Sequence, residues 1–185
     1  MLGAAQPIRP GGLAALYSMS ITIGTHNVSR LNMTLSEAPG AVKQFRRKAW
    51  KFQQTFQTPL RNVGPFVKTI VSNRGFQKAC LTIDQVVFEP ENLITLLRNH
   101  SISAPCRRGT SLGAVGQEEI VSLLGAAFGD GVDFIFTPEP KPFVIFADHD
   151  EYATFFANTR SNLNRVVKDL SAGGFKTVRD YERHL

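Results

Sequence analysis

Residues 132–157 read VDFIFTPEPKPFVIFADHDEYATFFA, and the way this stretch pairs with itself decides the fold class. It holds three apolar runs of strand length, Val132 to Thr137, Pro142 to Ala147 and Tyr152 to Ala157, each built on Phe, Ile, Val or Ala. Pro138 and Pro140 fall in the first connection, where a missing N–H removes no ladder bond. Neither connection is long enough for a crossover, so the three strands are expected to pair antiparallel. The flanking pattern predicts a hairpin with Ala147 opposite Tyr152, Ile145 opposite Thr154 and Phe143 opposite Phe156. In that register Asp148, His149, Asp150 and Glu151 form the turn.

Working outward, Gln117 to Phe128 predicts a helix with Gly129 at its C-terminal cap. A second helix from Ser161 to Leu170 stops at Gly173-Gly174, and Phe175 to Val178 predicts a last strand. The order α-β-β-β-α-β over 117–185 gives an α+β class, an antiparallel sheet with helices packed on one face. Residues 101–116 (SISAPCRRGTSLGAVG) are expected to be a loop and a sub-domain boundary.

Residues 36–100 read as a basic helical N-terminal part. Its main helix spans 41–57, where Val42, Phe45, Ala49, Phe52 and Phe56 recur at helical spacing. Pro59 opens another helix, kinked at Gly64-Pro65 and running through Val71; Ala79 to Phe88 predicts one or two strands; Asn92 to Asn99 predicts a short helix. Residues 1–35 form a leader in which Met19 to Gly24 (MSITIG) predicts a short strand. One compact domain overall is expected.

Composition narrows the classes of function. A chain of 185 residues with 43% hydrophobic residues and 14 Phe can build a core. No apolar run approaches the roughly 20 residues that span a bilayer. Cys80 and Cys106 form no C-x-x-C pair, so neither a zinc site nor a disulfide scaffold is expected. A reducing compartment, the cytoplasm, fits best; a single Cys80–Cys106 bridge and organellar import of the acid-free leader are the alternatives. Cys80, inside an apolar strand, is expected in the core. Residues 1–115 carry 14 Lys and Arg against 4 Asp and Glu, and the remainder 7 against 11. That split predicts an anionic partner for the first part, or contact between the two parts.

The segment VKQFRRKAWKFQQTF carries the sharpest functional pattern. On a helix at about 100° per residue, Lys43, Arg47, Trp50, Gln54 and Gln57 line up as one stripe, flanked by Arg46 and Lys51. Cations around an exposed ring suit phosphate neutralisation with base stacking. Lys43, Arg46, Arg47, Trp50, Lys51 and Gln54 are therefore the candidate nucleic-acid-binding residues. The competing reading covers Trp50 with the following helix and gives Arg46 a cation–π contact.

Two other functions compete. One is a protein-interaction or regulatory module docking through the aromatic sheet and the acidic hairpin. The other is a metal-assisted hydrolase at Asp148, His149 and Asp150, with Asp130, Asp133 or His184 as further ligands. A solvated turn is the expected state of that cluster, because neighbouring residues of an extended chain point to opposite faces. Arg107 and Arg108 beside Cys106 would lower its thiol pKa, with His100 as a base. The phosphatase spacing C-x5-R and the Walker A pattern both fail there, and Glu118 and Glu119 oppose an anion at the next helix start. No G-x-G-x-x-G is present. The resulting expectation is a non-enzymatic module, without cofactor, that binds nucleic acid.

Overall fold

The structure, a computed structural model, describes residues 32–38, 40–59, 61–179 and 181. Along the chain run β1 (Met33–Glu37), α1 (Ala41–Arg47), β2 (Phe52–Gln57), α2 (Val63–Val71), β3 (Lys78–Gln85), α3 (Glu91–Asn99) and β4 (Thr110–Val115). They are followed by α4 (Gln117–Gly129), β5 (Asp133–Glu139), β6 (Val144–Ala147), β7 (Tyr152–Ala157), α5 (Arg160–Ala172) and β8 (Thr177–Val178). The expected strand at 19–24 and His184 lie outside the described residues.

All eight strands join one sheet in the order β1-β4-β3-β5-β6-β7-β2-β8, every pairing antiparallel. The class is α+β. Strand direction alternates across the sheet, so β2 and β3, β4 and β5, and β7 and β8 run the same way without being neighbours. Each of these pairs needs a crossover, which α2, α4 and α5 supply. Those helices, with α3, seal one face of the sheet over a core that includes Phe56, Phe66, Leu81, Phe134, Phe136, Phe143 and Phe155. Edge-to-face ring contacts such as Phe66–Phe128, Phe128–Phe134 and Phe143–Phe155 run through it.

Strand alternation sends the intervening residues to the opposite face. There Ile135, Val144, Phe146 and Phe156 meet Val42 and Phe45 of α1, a second and smaller apolar cluster. Among the described helices, α1 stands alone on this face. Residues 36–100 are correspondingly a mixed part and not a purely helical one: besides α1, α2 and α3 they hold β2, β3 and the end of β1, all woven into the same sheet as the C-terminal strands.

The helix expected over 41–57 is a helix only to Arg47. Lys48 is already extended, at φ −79° and ψ 122°, and β2 begins at Phe52. In place of helical bonds, β2 pairs with β7 along six residues and with β8 at Thr55 and Phe56. Phe52 and Phe56 point toward the core beneath α2 and α5, whereas Phe45 sits across the sheet from them. Pro65 causes no kink, because α2 starts only at Val63 and the proline lies in its first turn, where an N–H has no helical partner anyway. Residues 110–115, expected as loop, form β4 between β1 and β3. Gly113 is needed there: a Cβ would stand 2.5 Å from Thr34 Oγ1 of the adjacent strand.

The β6–β7 hairpin is present with its register one residue from expectation: Ala147 faces Ala153, Ile145 faces Phe155 and Val144 faces Phe156. Asp148 N–H donates to Tyr152 O at 3.0 Å, and Glu151 takes a left-handed φ of 69°. The loop proper is thus three residues ending in a left-handed one, a standard hairpin solution. The core selects this register. It matches Ile145 and Ala147 with Phe155 and Ala153 on the main core face, where the expected register would have mixed the two faces.

Candidate nucleic-acid interface

From Ala38 to Ile83 the chain contains Lys43, Arg46, Arg47, Lys48, Lys51, Arg61, Lys68, Arg74 and Lys78, and no Asp or Glu. The fold divides these cations between the two sides of the sheet. Four of them, Lys43, Arg47, Lys48 and Lys51, belong to α1 and the corner leading to β2, and all are exposed. Since α1 buries Val42 and Phe45, helical geometry turns Lys43 and Arg47, four residues apart, away from the sheet. None of the four has an ion-pair partner among the described residues.

Arg46 is engaged differently. Its Nη2 donates to Asp84 Oδ2 at 2.6 Å, and Arg108 reaches Asp84 Oδ1 at 3.2 Å. Asp84 ends β3 on the same face and its side chain is only 5% exposed, so this carboxylate ties α1 and the loop before β4 to the sheet. The cation–π contact expected of Arg46 is instead made by Lys48, whose Nζ lies 4.0 Å from the Trp50 ring centroid.

Trp50 is a packing residue here. Its ring lies 5.7 Å from Phe45 and 5.8 Å from Phe156, and its Nε1 is buried without a hydrogen-bond partner. One ring face carries Lys48 and the rest packs against the smaller apolar cluster, so the half-buried ring is not the freely exposed platform that base stacking uses. Gln54 belongs to neither group: its amide donates to Val178 O at 3.3 Å, on the opposite side of the sheet from α1. The single stripe of Lys43, Arg47, Trp50, Gln54 and Gln57 therefore does not form, because the helix that would align it stops at Arg47.

One cation comes from outside the segment. Lys141, in the β5–β6 turn, sits close to Lys48; partial burial and then the Lys48 charge push its pKa down. No local pattern in the sequence ties Lys141 to α1, since the sheet alone brings them together.

The residues of the other candidate sites make contacts within the fold. Asp133 Oδ1 accepts from His149 N at 2.8 Å and from His149 Nδ1 at 2.7 Å, so the buried carboxylate fixes the turn. Asp148 Oδ1 accepts from Tyr152 N, and Asp130 caps α3 through the N–H groups of Asn92 and Leu93. Among the described residues no three His, Cys, Asp or Glu side chains are placed to hold a metal ion.

Cys106 is pushed up in pKa, by burial and then by Asp130, the reverse of the activation its two arginines suggested. Arg107 pairs with Glu37 at 2.6 Å and Arg108 with Asp84. Cys80 is exposed, not buried: alternation along β3 puts it with Lys78 and Thr82 on the face opposite the main core. Both thiols are free. No helix among the described residues is long and apolar enough to cross a membrane.

No protein-family model matches the chain, and no curated protein or solved structure matches it.

Proposed function

We propose that the protein is a non-enzymatic binding module for a polyanion, nucleic acid, and that it grips the phosphate backbone through Lys43, Arg47, Lys48 and Lys51, with Lys141 beside them. The observation that carries this reading is the set of exposed, unpaired cations gathered on and around α1, while Asp84, the carboxylate bonded to Arg46 of the same helix, is already committed to Arg46 and Arg108. Unpaired cations on a rigid surface release counterions when they meet phosphates, which favours association without base contacts. Because Trp50 offers no freely exposed ring, recognition is of the backbone and not of base identity. Fluorescence anisotropy with labelled single-stranded oligonucleotides of unrelated sequence tests it. Comparable affinities that fall steeply with salt support the reading, and absence of binding at low salt removes it.

A further inference from the structure

We propose that a second site, a cavity of about 340 Å³ between the α2–β3 turn, the β5–β6 turn and the start of α5, binds a phosphate dianion. Arg74, Lys141 and Arg165 line it together with the amides of Asn73 and Asn162. This goes beyond the α1 surface, with which it shares Lys141 alone.

The cavity is built around a fixed guanidinium. The Arg74 side chain is 5% exposed; its Nε donates to Ile70 O at 2.8 Å, its Nη2 to Asp169 Oδ2 at 2.6 Å, and its Cζ lies 5.7 Å from the Phe143 ring centroid. A planar fork held in this way is pre-organised for an oxyanion and loses little side-chain freedom on binding one. Asp169 is the only carboxylate in contact with these cations among the described residues, and it answers one of the three. The nearest acid along the chain, Glu139, faces Lys78 across the β3–β5 ladder and lines an adjoining cavity that shares Lys141 with this one, without making an ion pair to it.

Like charges also crowd the site. At Arg74 burial lowers the pKa, Asp169 opposes it, and Arg165 lowers it further by a smaller effect; at Lys141 burial and then Lys48 lower it. Three cations that share one carboxylate are an arrangement that an entering anion relieves. The start of α5 adds to this. Asn162 lies in its first turn, which carries no acidic side chain, so the positive end of the helix dipole faces the same region unopposed. Two charged forks, an ammonium and two neutral amides supply the directional donors that phosphate oxygens accept.

Inorganic phosphate is the probe, followed through the backbone amide resonances of Asn73, Lys141, Asn162 and Arg165, with chloride at matched ionic strength as the control. Saturable shifts at these four amides are expected, and Arg165→Ala and Lys141→Ala are each expected to weaken binding about tenfold or more, the scale of one lost charge-assisted contact. Both replaced side chains are exposed, so the variants fold, whereas Arg74→Ala also removes a buried ion pair. Shifts that match those of chloride, or that persist unchanged in Arg165→Ala, overturn the proposal. An oligonucleotide that displaces phosphate from the pocket identifies the backbone as the source of the anion. One that binds alongside it points to a free phosphate ester. Oligonucleotide binding without phosphate binding refutes the pocket and spares the α1 reading; phosphate binding alone does the reverse.

Discussion

Replacing Lys43, Arg47, Lys48 and Lys51 together with Gln is expected to remove most of the salt dependence of oligonucleotide binding. All four side chains are exposed and none makes an ion pair among the described residues, so the substitutions leave the fold intact. If each cation meets one phosphate of a single strand, each contributes about 0.7 to the slope of log K against log salt, roughly 3 in all. In the unmodified protein these four contacts mean a loss of about 50-fold in affinity between roughly 50 and 200 mM salt, and Lys141 about 3-fold more. The quadruple variant should lose only a few-fold over the same range, and Lys43→Gln with Arg47→Gln alone should fall about midway. Anisotropy titrations at four or five salt concentrations measure all three slopes. A quadruple variant whose slope equals that of the parent protein would refute the assignment of the α1 surface, whatever its absolute affinity.

Further outcomes follow from the surrounding geometry. Asp84→Asn should release Arg46 and Arg108, steepening the same salt slope by up to about 1.4; losing two charge-assisted contacts should also cost about 1–3 kcal/mol in a urea melt. Trp50→Ala should lower stability by about 2–3 kcal/mol, below the cost of a fully buried Trp because the ring is only half-buried, and leave the affinity of the folded protein unchanged, which thermal melts and anisotropy check together. The hydrogen bond to Asp133 holds the His149 imidazole pKa above its ordinary value. This contact therefore stabilises the fold fully below the ordinary pKa, and the gain disappears as pH rises through the raised one. An NMR titration of His149 should show the raised value, and Asp133→Asn should bring it down. Limited alkylation at neutral pH should modify exposed Cys80 before Cys106, whose thiol is kept protonated by burial; mass mapping reads the order.

The β5–β6–β7 meander was legible in sequence because its strands are joined by short turns, so these pairings are local and agree with the helix stops on either side. What failed there was one residue of register, set by core matching and by the left-handed Glu151, and the placement of Pro138, which lies within β5 opposite Ala79 and not in the connection. In the N-terminal half the decisive pairings are distant. Phe52 and Phe56 stand four residues apart, a spacing shared by one face of a helix and one face of a strand, and only partners from β7 and β8 choose between the two. β4 was hidden because Gly113 reads as loop chemistry until Thr34 of β1 is seen against it. The cations of the candidate site were visible as a cluster; their division by the sheet, the burial of Trp50 and the arrival of Lys141 all depend on tertiary structure.

The placement of β2 also constrains how the chain can fold as it is made. The hydroxyls of Thr55 and Thr154 meet at 2.9 Å although 99 residues separate them. β2 therefore has no strand to pair with until β7 has left the ribosome, while β5, β6 and β7 can form a meander as soon as they emerge. During that interval Phe52 and Phe56 remain uncovered beside the most basic segment of the chain. The same cations that suit a polyanion also keep this waiting strand charged and soluble, a gatekeeping role during synthesis that is independent of any ligand.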